Sequence, residues 1–198
     1  MEITTQQVKE LRELTGAGVL DCRKALQASD GDFEKAAASL REKGLAAAAK
    51  KADREAREGV VELYSHGGGR VGVMVEVNCE TDFVARTERF RTFAHDLALH
   101  IAANNPKWVD VADIPAEVVE SERTSARDRA VQEGKPDKVI DRIVDGRLDK
   151  FYQENVLLRQ PFVKDDSVIV GDLLKQTISA IGENVIIRRF ARWALGEA

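Results

Sequence analysis

The side chains able to do chemistry are few and scattered. Cys22 and Cys79 are the only cysteines and form no CxxC pair, so a reduced protein is expected, with both thiols packed as small hydrophobes. His66, His95 and His100 lack metal-ligand spacing. His95 and His100 stand five apart, on different faces of a helix, and all three are expected at surface or boundary positions. The chain has no GxxxxGK[ST] loop and no HExxH. Gly16-Ala17-Gly18 lacks the third glycine of a dinucleotide fingerprint. Gly67-Gly68-Gly69 falls in a hairpin loop, not at a helix start, so it cradles no phosphate. No nucleophile, base and orienting group converge. No catalytic residue, metal ligand or cofactor is assigned, and the chain is not read as an enzyme; a thiol enzyme using Cys22 or Cys79 is the weakest alternative.

One string stands out: Asn78-Cys79-Glu80-Thr81-Asp82-Phe83-Val84-Ala85-Arg86. It leaves a strand and enters a helix, with an acid beside an aromatic. Two readings stay open on the residues alone. Either Thr81 or Asp82 caps the next helix and Phe83 is core, or the pair is presented outward.

The elements that must position this string begin with three short helices. Thr4 and Gln7 have capping-box spacing, and Val8, Leu11 and Leu14 follow three apart. Gly16-Ala17-Gly18 ends that helix. A second runs from Leu20 to Ser29, and Asp30-Gly31-Asp32 turns the chain and offers an N-cap. Phe33, Ala36, Ala37 and Leu40 form an amphipathic stripe, with Gly44 placed to close the third helix. Leu45 to Glu58 is rich in alanine and charge and reads as a solvated connecting helix; a basic face for a partner is the alternative.

Val60–Ser65 and Val71–Asn78 flank the triple glycine, a hairpin signal. A helix follows with Phe90, Phe93, Leu97 and Ile101 on its inner side, ended by Asn104-Asn105-Pro106. Three helical stretches are expected next: one from Pro115 to Glu133, a short one broken at Gly146, and one around Phe151. Gln160-Pro161-Phe162 reads as irregular or extended. A last helix carries Leu173, Leu174, Thr177, Ile178 and Ile181 and ends at Gly182. The chain closes with a strand, Val185 to Phe190. The expected fold is therefore α+β: a three-helix module, then a small three-stranded antiparallel sheet with helices on one side. In the last strand Val185 and Ile187 point one way, Ile186 and Phe190 the other. Such two-sided apolar character predicts sheet-on-sheet contact with a second copy. Coverage by the carboxyl-terminal tail or by Pro161-Phe162 is the alternative.

The chain has 198 residues, a formal net charge of -4 and 32% charged residues, with no basic surplus to attract nucleic acid. No basic, then apolar leader and no apolar run of membrane-spanning length occur, so a cytoplasmic protein without membrane contact is expected.

Asn78–Arg86 closely resembles the signature of the elongation factor Ts family. Leu11–Leu26, with Leu14-Thr15-Gly16-Ala17-Gly18-Val19-Leu20 at its centre, is similar to that family's amino-terminal signature. Gly31-Asp32, Leu40–Gly44, Gln160–Val163 and Gly182–Val185 continue the likeness in the family's order. Val19 and Leu20 replace the family's usual paired methionines and keep an apolar surface. The resemblance implies a ubiquitin-associated-like three-helix head over residues 1–53 and an α+β core and dimerisation domain over 54–198, without a long coiled-coil insertion. It implies guanine nucleotide exchange on elongation factor Tu during protein biosynthesis. The head would dock through Leu14, Val19 and Leu20, and Thr81, Asp82, Phe83 and Val84 would reach towards the partner's Mg²⁺ site. It also implies a homodimer with no direct nucleic-acid contact. A general adaptor whose head binds a ubiquitin-like fold is the alternative, and it leaves the longer part of the chain without a task.

Overall fold

In chain order the elements are α1 (Thr5–Thr15), α2 (Val19–Ala28), α3 (Phe33–Ala49), β1 (Glu58–His66), β2 (Val71–Cys79), α4 (Asp82–Ala85), α5 (Glu88–Asn104), α6 (Ala116–Gln132), α7 (Asp137–Asn155), β3 (Pro161–Phe162), β4 (Asp165–Ile169), α8 (Val170–Ile181) and β5 (Val185–Ala194). The computed structural model describes residues 3–197. The chain divides into two compact units: one holds everything up to Leu99 and again from Asp172, and the other holds His100–Gly171.

The first unit opens with the helical head. Thr4 Oγ1 accepts from the Gln7 amide at 3.2 Å and Gln7 Oε1 accepts from the Thr4 amide at 2.9 Å, the expected reciprocal cap. Asp32 Oδ1 caps α3 by accepting from the Lys35 amide at 3.0 Å. Val8, Leu11, Cys22, Leu26 and Leu40 share one small core, with Phe33 packed on it. Leu14 does not join them. Two steps of three residues carry it about 120° around the helix from Val8, so it emerges on the surface.

Gly44 does not end α3. A β-carbon there would lie 3.0 Å from Ser179 Oγ of α8, so the glycine permits close approach of two helices rather than a stop. The alanines after it, good helix formers, carry α3 on to Ala49. Turns over Lys50–Asp53 and an irregular stretch over Glu55–Arg57 then replace the expected continuous connecting helix.

The sheet has the order β1-β2-β5 and is antiparallel throughout. Gly67, Gly68 and Gly69 all take positive φ in the β1–β2 turn, which side chains resist. Val73, Val75 and Val77 are buried on one face, in register with Tyr64, Glu62 and Val60 of β1. His95 of α5 meets that face at the rim, its ring 5.5 Å from Tyr64 and its Nδ1 3.0 Å from Glu62 Oε1. Helix α5 buries Phe90, Phe93 and Leu97, as its stripe predicts.

The last strand departs from simple alternation. Val77 pairs with Ile187 but Glu76 pairs with Arg189, so Arg188 is an extra residue, a bulge. The bulge flips the parity beyond it. Phe190 therefore pairs with Val75 and shares the inner face with Ile187, instead of pointing away from it. The outer face is apolar all the same, through Val61, Leu63, Met74 and Trp193, all exposed.

In the second unit α6 and α7, of 17 and 19 residues, pair as a helical hairpin around Ala126, Ala130, Ile140, Val144 and Leu148. This is a single α7, not two helices broken at Gly146. Ile140, Val144 and Leu148 fall four apart on one buried stripe, and that packing outweighs the ~1 kcal/mol cost of one internal glycine. The ion pairs Arg127–Asp141 and Arg123–Asp145 flank the stripe. Pro161-Phe162 is extended, as expected, and pairs with β4. His100 is not a surface residue: it is wholly buried. Its Nδ1 accepts from the Val163 amide at 3.1 Å, so Nε2 carries the proton and donates to Gln160 Oε1 at 2.9 Å. Burial holds its pKa below the usual imidazole value.

Gly146 is exposed and no heavy atom lies within 4 Å of where its β-carbon would stand. Gly146→Ala should therefore stabilise α7 by about 0.5–1 kcal/mol, read as a higher urea midpoint by circular dichroism. A lower midpoint would show that the glycine has a packing role.

Candidate functional site

The central strand β2 ends at Cys79, and the chain turns into the single-turn helix α4 within three residues. Thr81 is extended, with φ -129° and ψ 153°, and its Oγ1 accepts from the Val84 amide at 3.4 Å. That makes it the N-cap, one of the two roles left open above. Cys79 is fully buried beneath the turn, and its Sγ donates to the Thr81 carbonyl at 3.2 Å. Desolvation, then the charge of Glu183, pushes its thiol up to about 11.

The turn is clamped from across the sheet. Glu183 Oε2 accepts from the amides of Glu80 at 3.1 Å and Thr81 at 3.0 Å, and Glu183 Oε1 accepts from Thr81 Oγ1 at 2.7 Å. Glu80 answers in kind: its Oε1 accepts from the Asn184 amide at 2.6 Å and lies 3.5 Å from Arg54 Nη1. Asn184, itself buried, donates through Nδ2 to the carbonyls of Ala52 at 3.2 Å and Arg54 at 2.7 Å.

This frame decides where the acid–aromatic pair goes. Ala85 faces inward and is buried. Two residues earlier along the helix, about 200° around, Phe83 must face outward. It is 78% exposed, so it is not core. Asp82 pairs with Arg86 at 2.8 Å across an open surface, and Val84 is half-buried.

The head presents a second apolar group. Leu14 lies in the last turn of α1, and Val19 and Leu20 open α2 after the Gly16–Gly18 loop, so the three share one end of the module. They are 56%, 52% and 70% exposed. The loop rests on α5: a β-carbon at Gly16 would stand 2.0 Å from Arg89 Nη2 and displace that side chain, and the φ of +67° favours glycine. Burial, then the nearby Arg12 charge, lowers the Arg89 pKa from its usual value.

Sequence reasoning singled out the Gly182–Val185 string without giving it a task. Its partners lie 102 to 132 residues away in the chain, beyond the reach of any local pattern. The signal was the joint presence of two ordered motifs, each with a glutamate beside a turn. Among the described residues no group of three or more His, Cys, Asp or Glu side chains is placed to hold a metal ion, and no helix is long and apolar enough to cross a membrane.

What the exposed set offers is an aromatic with an acid beside it on a hydrogen-bonded turn, and a separate apolar group at one end of the head. That is the equipment of a protein that acts on another macromolecule by contact. The family described as Elongation factor TS matches residues 2–197. The chain is 60% identical to the elongation factor Ts of Caldanaerobacter subterraneus subsp. tengcongensis, over 98% of both chains. It is 58% identical to that of Carboxydothermus hydrogenoformans, over 98% of this chain and 90% of the relative. The elongation factor Ts of Coprothermobacter proteolyticus is 53% identical over the whole length of both. The chain belongs to the elongation factor Ts family, the nucleotide exchange factors that serve elongation factor Tu in translation elongation.

The raised Cys79 pKa has a measurable consequence. At pH 8 the thiolate fraction is about a hundredfold smaller in the native chain than in the unfolded one, for a shift from 9.0 to about 11. Iodoacetamide should label Cys79 in urea and hardly at all in native buffer, followed by peptide mass spectrometry. The same shift makes folding less favourable as pH rises from 9.0 through about 11, since the unfolded chain loses that proton first.

Proposed function

We propose that the head, residues 1–53, docks on elongation factor Tu·GDP through Leu14, Val19 and Leu20, while Thr81, Asp82, Phe83 and Val84 disturb its Mg²⁺ site and release GDP. The observation that carries this reading is Phe83, a large aromatic left 78% exposed on a braced one-turn helix. An aromatic of this size has 150–250 Å² to bury, so its exposure in the free protein is costly unless a partner takes it. Mg²⁺ demands near-ideal octahedral coordination, so a small displacement of its ligands or waters weakens it disproportionately. Phe83 acts as the wedge between elements that support the nucleotide pocket. Asp82 competes for polar groups around the metal and is not a lasting ligand. No covalent bond is made and no cofactor of its own is needed.

Linkage sets the thermodynamics. A factor that prefers the nucleotide-free partner lowers its nucleotide affinity by the same ratio. Each tenfold step requires about 1.4 kcal/mol of differential binding. Burying Phe83 contributes about 1.5–3 kcal/mol, one to two such steps. Phe83→Ala should therefore slow stimulated GDP release about 10- to 100-fold with the fold intact, and Asp82→Ala should slow it by a smaller factor. Stopped-flow release of fluorescent GDP measures both, and wild-type rates in the two variants would eliminate the wedge.

The core, residues 54–198, is proposed to form a homodimer through the outer face of the sheet. Val61, Leu63, Met74 and Trp193 lie exposed there, with Ala191 between them in register with Met74. A twofold contact matches the same patch to itself, and two such sheets bury each other's apolar rows. The protein is proposed to work in the cytoplasm, without direct nucleic-acid or membrane contact; its net charge of -4 supports the former. Leu63→Asp places a charge within the contact, beside Met74 of the central strand, and should shift the sedimenting species from dimer to monomer. A wild-type chain that sediments as a monomer at micromolar concentration would overturn the dimer.

A further inference from the structure

We infer that Glu183 is a positioning residue for the exchange string: its carboxylate sets the direction in which Thr81–Val84 leaves the sheet. The inference rests on the reading of that string given above. Glu183 lies 102 residues from Thr81 and touches neither Asp82 nor Phe83 through any of its three hydrogen bonds. It acts on what they follow. The amides of Glu80 and Thr81 point away from the last rung of β2, where Cys79 pairs with Glu58 and Val185, and the strand can no longer satisfy them. One carboxylate oxygen takes both amides and the other takes the Thr81 hydroxyl. Three charge-assisted bonds on two adjacent residues fix the backbone and the rotamer of Thr81 together. Thr81 is the cap of α4, so fixing it fixes the start of the helix that carries Phe83.

The neighbouring residue binds the same turn to the end of the head. Asn184 donates from its amide to Glu80 and from its side chain to Ala52 and Arg54, where the head's chain meets the sheet. The two residues after Gly182 thus hold both the string and the exit of the docking module. Gly182 itself takes φ +87°, which lets α8 end sharply enough to place them there. A charge used only for stability would not need its partners concentrated on the cap of the exposed helix.

The test separates positioning from folding and from the wedge itself. Glu183→Ala should lower the maximum rate of stimulated GDP release about tenfold, while the half-saturating concentration changes by no more than about twofold, since the head still docks. Glu183→Gln should restore most of the rate, because its carbonyl can accept from the two amides and its NH₂ can donate to Thr81 Oγ1. In the free protein, hydrogen exchange at the Glu80 and Thr81 amides should be fast in Glu183→Ala and slow in Glu183→Gln. Phe83→Ala is the control. If it slows release and Glu183→Ala does not, the positioning role is refuted and the wedge stands. If neither slows release, the reading of the string fails with it. If Glu183→Ala and Glu183→Gln lose rate equally, the charge and not the bond geometry matters, and the inference is overturned. Should Glu183→Ala fail to fold, Glu183→Asp shortens the reach of the carboxylate to the two amides and the Thr81 hydroxyl while leaving the Thr81 cap on the Val84 amide in place, and should show the same split at smaller amplitude; an unchanged maximum rate there counts against the inference.

Discussion

Val73, Val75 and Val77 are buried on one side of the middle strand, while Met74 and Glu76 between them face outward. Three β-branched side chains removed from water contribute roughly 1.5–3 kcal/mol each, enough to hold β2 in one register against both neighbours. A slip by one residue would bury Glu76 and expose all three. The end of β2 is therefore a fixed point, and everything presented by the first unit is measured from it. The string leaves from Cys79, buried at that end, and the clamp from the Gly182–Asn184 turn closes over it. Long-range placement of the presented residues thus reduces to one strand's alternation plus a handful of hydrogen bonds at its last rung.

The same alternation explains why the outer face looks as it does. A strand in a sheet covered on one side usually alternates apolar and polar residues. Here the outward positions are also apolar at Val61, Leu63, Met74 and Trp193, and two charged exceptions, Glu76 and Arg189, pair with each other at 2.8 Å. That Arg189 hydrogen bond, more than any other influence, keeps the Glu76 carboxyl below its usual range. The Glu76–Arg189 pair is already matched within one chain, so on association neither of its charges is desolvated without a partner.

Much of this was legible in the sequence, and the limit falls at a physical boundary. Features fixed within three or four residues could be read: the reciprocal cap of Thr4 and Gln7, the Asp32 cap, the triple-glycine turn, the buried stripe of α5. Features decided by a remote neighbour could not. Gly44 and Gly146 look alike as helix stops, yet one allows contact with Ser179 and the other merely tolerates a helix whose far side is well packed. The bulge at Arg188 reversed the facing of Phe190, and nothing in the pattern of apolar residues distinguishes a bulged strand from a two-sided one. His100 resembles a surface histidine until Gln160 and the Val163 amide are brought to both of its nitrogens. For the candidate site the string itself was visible, but its brace was not, because Glu183 and Thr81 are brought together only by the return of the chain.

That brace bears on how an exchange factor can be efficient. Ordering a residue's backbone costs roughly 1–2 kcal/mol. A four-residue string that became ordered only on meeting its partner would lose about 4–8 kcal/mol of its contact energy, an upper bound for a chain with no residual order. At about 1.4 kcal/mol for each factor of ten, that loss equals roughly three to six powers of ten in the coupling between factor and nucleotide. It exceeds what burying Phe83 alone supplies. A wedge on a loose loop would therefore bind and displace nothing. Holding Glu80 and Thr81 by three bonds and Cys79 by burial moves the ordering cost into folding, where the core of the first unit offsets it. On the proposed reading of the string, what remains at the encounter is the gain from covering an aromatic ring already aimed, and that gain is what can push on the partner.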